Sequence, residues 1–382
     1  MRLKIGFILL LMAGLVQYAQ AQRNWWDAVA GSPKIGEDRC ATFRIQAPQA
    51  QEVKLRLDFH ADVAMRRDTA GWWTLTTEPL APEMYCYDFV VDGVITHDVD
   101  NVFTMRDVAT VKNLFFIEGE QSRLYMPHDV PHGMVSAVWY DSPSLGKTRR
   151  MMVYTPPGYD VGKKRYPVLY LLHGSGGDET AWLVQGRTAH ILDNLIAEGK
   201  VEPMIVVMPN GNVDEQATPG EDSRGQVPPT FQHEQWMDGT FESTFGDIMQ
   251  YVETHYRVRA DEAHRAIAGL SMGGYHSLYI SANRPADFSY VGLFSAAITP
   301  FNGKDSEIYK NVDAKLARQF AKKLKLYWIG IGKDDFLYKD NQRFRSRLDQ
   351  HGYGYIYYES MGGHEWRNWR IYLSKFVPLL FK

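Results

Sequence analysis

Ala266-Ile267-Ala268-Gly269-Leu270-Ser271-Met272-Gly273-Gly274-Tyr275-His276 sets a short apolar run against a stretch of helical period, with a serine between glycines at the junction. A strand that turns sharply into a helix lifts the residue at the turn clear of the backbone. Glycines on either side let the neighbouring chain approach closely. The G-x-S-x-G spacing therefore predicts Ser271 as a nucleophile. Five such residues occur often by chance, and it is the strand before them and the helix after them that give the pattern meaning.

Outward from this stretch, continuous apolar runs recur at residues 168–172, 205–208, 291–294 and 326–331. Runs without alternation belong to strands buried on both faces, so a parallel sheet covered by helices is expected. Residues 191–196, 241–256 and 272–283 have the length and pattern of helices between them. Residues 134–382 thus read as one α/β domain of the α/β-hydrolase type, a doubly wound, mostly parallel sheet.

A serine hydroxyl is a poor nucleophile until a base takes its proton and donors receive the developing oxyanion. The run at 168–172 ends in His173-Gly174-Ser175-Gly176-Gly177, whose amides can point into a site. The backbone N–H groups of Ser175 and Met272 are assigned to an oxyanion hole. The loop lacks the Lys-Ser/Thr ending of a phosphate-binding loop and the spacing of a dinucleotide fingerprint. In this fold the acid and then the histidine follow the serine, each at the end of a strand. Of 12 histidines, only His351 and His364 lie beyond residue 276. His351, beside Gly352, reads as a helix cap. His364 sits in a loop between strand-like residues 355–359 and helical residues 366–380, and is the expected base. His173 reads as a structural hydrogen-bonding residue. For the acid, the run at 326–331 enters Gly332-Lys333-Asp334-Asp335-Phe336, and the residues alone leave both carboxylates open. No His/Cys/Asp/Glu grouping has metal-ligand spacing, so a mechanism without metal or other cofactor is expected.

The N-terminal part is of another kind. Phe43, Ile45 and Ala47, then Val53, Leu55, Leu57 and Phe59, and later Tyr85, Tyr87, Phe89 and Val91 alternate with polar residues, and Asp92-Gly93 is a hairpin turn signal. A β-sandwich over residues 22–118 is expected. A connection rich in charge and proline follows at 119–133. Cys40 and Cys86 both fall opposite their strands' apolar faces, so a disulfide would have to cross neighbouring strands of one sheet. Ahead of the module, Arg2 and Lys4 precede an apolar run to Val16 and Ala19-Gln20-Ala21. That is the pattern of a signal peptide cleaved after Ala21, hence a periplasmic or secreted protein, because about 12 apolar residues fall short of the roughly 20 a membrane span needs. A net charge of -3 offers no basic field for nucleic acid or anionic membrane, so the substrate should be neutral or weakly charged. Aromatic residues at 13% suit ring-bearing ligands and core packing alike.

Four segments carry a resemblance: Val153-Tyr154-Thr155-Pro156-Pro157-Gly158-Tyr159, Tyr170-Leu171-Leu172-His173-Gly174-Ser175-Gly176-Gly177, Gly269-Leu270-Ser271-Met272-Gly273-Gly274 and Gly363-His364-Glu365-Trp366. Through them residues 134–382 resemble carbohydrate esterase family 1, the feruloyl and acetylxylan esterases of the esterase D-like superfamily. The resemblance implies a triad of Ser271, His364 and Asp335, the second of the two aspartates, with the oxyanion hole near Ser175 and Met272. It implies as substrate a feruloyl or acetyl ester on a plant cell-wall polysaccharide such as arabinoxylan, or on a xylo-oligosaccharide. Trp182, Trp236 and Phe336 are candidate walls of the acyl pocket. Residues 41–118 are similar to family 48 carbohydrate-binding modules through Ala47-Pro48 and Tyr87-Asp88-Phe89-Val90-Val91-Asp92-Gly93. Two rival readings stand beside hydrolysis: an acyltransferase on the same triad, and a glycan-binding protein with an inactive hydrolase domain.

Overall fold

A computed structural model describes residues 31–382, and the expected signal segment 1–21 lies outside them. Among the described residues no helix is long and apolar enough to cross a membrane. By their contacts, residues 31–79 and 88–102 form one compact unit and residues 80–87 and 103–382 the other.

The larger unit is built on eight strands: β1 (Met134–Ser142), β2 (Lys147–Thr155), β3 (Val168–Leu172), β4 (Ile205–Pro209), β5 (Arg265–Leu270), β6 (Tyr290–Phe294), β7 (Leu326–Gly332) and β8 (Ile356–Ser360). They lie in the order β1-β2-β4-β3-β5-β6-β7-β8. The two pairings made by β2 are antiparallel and all the others are parallel. Alternate residues of the central strands feed opposite faces, which is why their sequences run apolar without a break. On β3, Val168, Tyr170 and Leu172 pack on one side with Phe245, Ile248 and Leu278, while Leu169 and Leu171 pack on the other with Trp182, Leu192 and Phe376. After a short helix α1 (Ala181–Val184), the helices expected from sequence are present as α2 (Thr188–Ala197), α3 (Thr240–His255) and α4 (Met272–Asn283). The antiparallel pair β1–β2 was not foreseen. Its strands carry polar residues, among them Arg149 and Arg150, at positions that turn out to be buried.

In the smaller unit, Ala41–Gln46 and Trp72–Thr76 pair antiparallel, flanked by Lys34–Ile35 and Arg66–Arg67. Val53, Leu55 and Leu57 are buried while the lysine and arginine between them are not, as period-two alternation requires. The Asp92-Gly93 turn joins Val91 to Val94 with φ of 47° and 86°, the left-handed pair that a two-residue hairpin demands. Cys40 and Cys86 are not joined by a disulfide. Cys86 does not face away from apolar surroundings as its strand's phase implied. Residues 83–89 are all buried, and its sulfur lies 3.5 Å from that of Met105.

The hairpin of Thr104–Asp107 and Thr110–Ile117, expected within the N-terminal module, groups with the larger unit and pairs there with residues 83–87. The stretch 119–133 is firmly packed at its start. Tyr125 is fully buried, and the Asn194 amide donates to the carbonyls of Arg123, Leu124 and Met126. Glu83 ties these pieces together. Its carboxylate accepts from Arg370 at 2.9 Å, from Gln121 at 2.7 Å and from the Tyr125 hydroxyl. Glu83 and Arg370 are both 2% exposed along their side chains, so removing one leaves the other charge buried and unpaired. We expect Glu83→Ala to lower unfolding free energy by about 3–5 kcal/mol in urea titration. A loss below about 1 kcal/mol would mean the pair contributes no more than a surface ion pair does.

Candidate active site

Ser271 stands between β5 and helix α4 (Met272–Asn283) with φ 53° and ψ −114°. A non-glycine residue rarely adopts positive φ, and the conformation persists only where its surroundings hold it. Its N–H donates to Phe294 O at 2.9 Å, and its carbonyl accepts from Tyr275 at 3.0 Å and Ala297 at 3.1 Å. The following turn is pressed onto β3, for a Cβ at Gly273 would sit 2.2 Å from the Leu172 carbonyl oxygen. Glycine is required there by close approach.

β5, β7 and β8 run parallel, so their C-terminal ends deliver their loops to one edge of the sheet. After β7, Asp335 is 4% exposed while Asp334 is exposed to solvent. Asp335 Oδ1 accepts the Leu337 N–H at 2.9 Å, and Oδ2 lies 2.9 Å from His364 Nδ1 in the loop after β8. An ionised carboxylate only accepts, so Nδ1 carries the proton and Nε2 is left to accept one. His364 is further held by Trp369, edge-on at 5.0 Å, and by Phe336 at 4.5 Å between ring centroids. The structure thus brings Asp335 to His364 and leaves Asp334 facing water.

After β3, among the described residues, neither the Ser175 nor the Met272 backbone N–H donates to a backbone acceptor. His173 is fully occupied. Its Nδ1–H donates to Gly174 O at 2.8 Å and its Nε2 accepts the Gly211 N–H at 2.7 Å. Burial lowers its pKa from about 6.5 to about 4, so it is a neutral structural group, as expected from sequence.

The three aromatic candidates separate. Trp182 is a correction: it lies in helix α1 (Ala181–Val184), not a loop, and is 1% exposed, packed against Phe294 and Trp366 with its indole N–H on Leu172 O. It has no face to offer a ligand. Phe336 is 75% exposed beside His364. Trp236 is half-buried; its indole N–H donates to Ser175 Oγ at 2.7 Å and its ring meets Phe301 at 5.8 Å.

Sequence reasoning missed what organises residues 211–239. Glu179, 1% exposed, accepts from Arg150 Nε at 2.7 Å, from Thr218 N at 2.9 Å and from Asn210 at 3.1 Å. Arg149 donates to the carbonyls of Asn210, Asn212 and Glu215. Burial, followed by the nearby Asp178 charge, raises the Glu179 pKa. The available signal was the pair Arg149-Arg150 inside a strand, where two buried cations need partners.

The sheet order and the turn at Ser271 place the chain among the α/β-hydrolases. The enterobactin esterase of Shigella flexneri shares the fold across 93% of this chain and 98% of its own, with TM-score 0.65 at 17% identity. Within that class the chain belongs to the Esterase family: the family profile, described as "Putative esterase", matches residues 142–380. It is 32% identical over 360 residues to an endo-1,4-beta-xylanase/feruloyl esterase of Xylanibacter ruminicola, covering 92% of this chain and 46% of that one. The chain thus spans less than half of that relative. It is 24% identical over 244 residues to an acetyl esterase of Caldicellulosiruptor saccharolyticus, covering 56% of this chain and 83% of that one. A CE1 ferulic acid esterase of Anaeromyces mucronatus superposes with TM-score 0.58 at 26% identity, over 68% of this chain and 95% of its own.

His190, like His173, is held neutral by burial with a pKa near 4. Both bind a proton more readily when unfolded, so their contribution is complete above about pH 6.5 and is lost as pH falls towards 4. We expect the urea midpoint to drop across that window and His190→Gln to lessen the drop. A midpoint unchanged down to pH 4.5 would contradict this.

Proposed function

We propose that the chain is a serine esterase that releases hydroxycinnamoyl groups, feruloyl above all, from plant cell-wall polysaccharide such as arabinoxylan. In this reading Ser271 Oγ attacks the ester carbonyl while His364 Nε2 takes its proton and Asp335 holds the imidazolium. The oxyanion is received by the N–H groups of Ser175 and Met272. His364 returns the proton to the leaving sugar hydroxyl, and water then releases the acid from the acyl-enzyme.

The observation that carries the reading is the Asp335–His364 pair at 2.9 Å, set over the same sheet edge as the strained serine. The choice of acyl group rests on exposed rings. Phe231 beside Gly176, Phe301 against Trp236 and Phe336 against His364 are 59%, 52% and 75% exposed. Apolar rings left in water around a site suit an aromatic acyl group, which they would cover, better than an acetyl group. The feruloyl esterase named among the relatives supports the same choice. The relative named as an acetyl esterase favours acetyl esters as a second reading. We expect kcat/KM on a feruloylated xylo-oligosaccharide to exceed that on its acetylated counterpart at least about tenfold, or about 1.4 kcal/mol. The reverse ratio would make this an acetyl esterase.

Two variants test the machinery. Ser271→Ala should keep the fold and lose roughly 10⁴–10⁶ in kcat, since members of a triad act as a unit. More than a tenth of the activity remaining would remove Ser271 from the mechanism. Asp335→Asn should cost about 10⁴ in kcat by favouring the wrong imidazole tautomer, and Asp334→Asn about tenfold or less. The opposite ranking would assign the role to Asp334.

A further inference from the structure

Beside the loop 173–177 a cavity of ≈420 Å³ opens between helix α1, the Thr218-Pro219 turn and the hairpin 104–117. Small-molecule sites have volumes of this order. We propose that it is a subsite for a neutral sugar unit of the leaving group, so that the hairpin sets specificity for the glycan side of the ester. The proposal rests on the esterase reading above for its place in the reaction.

Three observations point to it. First, the hairpin is fixed onto the site loop. At its turn Val108, a β-branched residue, has φ 53°. Arg106 Nη1 donates to Val108 O at 2.8 Å, and Gln185 Nε2 donates to Asp107 at 2.7 Å. A Cβ at Gly176 would sit 3.0 Å from Val108 Cγ2 and 2.6 Å from the Phe231 ring, so the hairpin tip and the site loop leave no room for a side chain at position 176.

Second, the lining suits a neutral polyol. The charges in the wall satisfy each other, because Arg106 bonds to Asp178 and to Thr218 Oγ1. The remaining capacity of Asp178 is taken by Thr180 N at 2.9 Å, Thr180 Oγ1 at 2.6 Å and Thr218 Oγ1 at 2.7 Å. No net charge is left to attract an ion. Thr104, Thr180 and Gln185 offer neutral hydrogen-bonding atoms beside the apolar surfaces of Met105, Val111 and Val184. A pyranose presents that mixture, C–H faces with a hydroxyl rim.

Third, the cavity adjoins the site loop: Gly177 and Asp178, two and three residues past Ser175, form part of its wall. Helix α1, which lines the cavity, reaches His364 through a chain of rings: Trp182 to Trp366 at 5.3 Å, Trp366 to Trp369 at 5.1 Å, Trp369 to His364 at 5.0 Å. The Arg370 guanidinium fastens the same helix end by donating to Gln185 O at 2.9 Å.

Val184 and Val111 are 42% and 43% exposed, so a larger residue at either fills the cavity without entering the core. The test compares wild type, Val184→Trp and Val111→Trp on methyl ferulate and on a feruloylated arabinoxylo-trisaccharide. We expect KM for the trisaccharide ester to rise at least about fivefold in both variants, with kcat and all constants for methyl ferulate within about twofold. Equal effects on both esters, or none on either, would overturn the subsite. Xylotriose binding to Ser271→Ala protein, followed by saturation-transfer NMR, decides the matter without hydrolysis. Binding that Val184→Trp abolishes supports the subsite, and no binding at 10 mM overturns it. Failure of the wild type on methyl ferulate would instead count against the esterase reading, with the NMR result still standing on its own.

Discussion

A serine held at φ 53° and ψ −114° is the constraint to which the rest of this structure answers. Such a backbone costs about 1–3 kcal/mol, and only a packed surround keeps it. Here the surround is the sheet itself. β6 supplies the carbonyl of Phe294 to the Ser271 amide, the segment after β6 donates from Ala297, and β3 comes so close that position 273 has room for no side chain. The parallel strands are therefore more than a scaffold. Their continuous apolar runs bury both faces, and that burial pins the strand ends tightly enough to force the turn.

Around this rigid edge the loops are held by polar groups in the interior. Buried charges are costly unless they are paired and hydrogen-bonded, and those that hold these loops each make two or more hydrogen bonds or ion pairs. Arg149 and Arg150 on β2 hold residues 210–218 against the strand ends, and Glu179 joins them to the loop after β3. The same logic anchors the hairpin 104–117 through Arg106 and Asp178, and residues 80–87 through Glu83 and Arg370. In this arrangement apolar packing fixes where the strands end, and buried ion pairs fix where the loops go.

That division explains how far the sequence could be read. Strands with continuous apolar runs appear within two residues of where the pattern set them and the helices within four, because burial on both faces leaves a one-dimensional trace. That Ser271, the Asp334-Asp335 pair and His364 sit just past strand ends was legible for the same reason: each follows a strand by at most four residues. The pairing of Asp335 rather than Asp334 with His364 needed the resemblance to a known family, since adjacent loop residues carry no signal of direction. β2 was missed because Arg149 and Arg150 interrupt its apolar pattern, and only the fold reveals that they face inward; β1 was missed because it is an edge strand with most of its residues outside the core. Trp182 was misread because a tryptophan near a glycine-rich loop gives no hint whether it faces ligand or core. Residues 211–239 were opaque because their partners, Arg149, Arg150, Glu179 and Ser175, are scattered along the chain.

The account stands on one claim, that the strained residue at the β5–α4 turn is the nucleophile. Incubation of the native protein with a fluorophosphonate, followed by intact mass and peptide mapping, tests it most directly. The account predicts a single phosphonyl group per chain, carried by the oxygen of Ser271, appearing in step with loss of ester hydrolysis. A label on another residue, or full labelling that leaves hydrolysis intact, would contradict it.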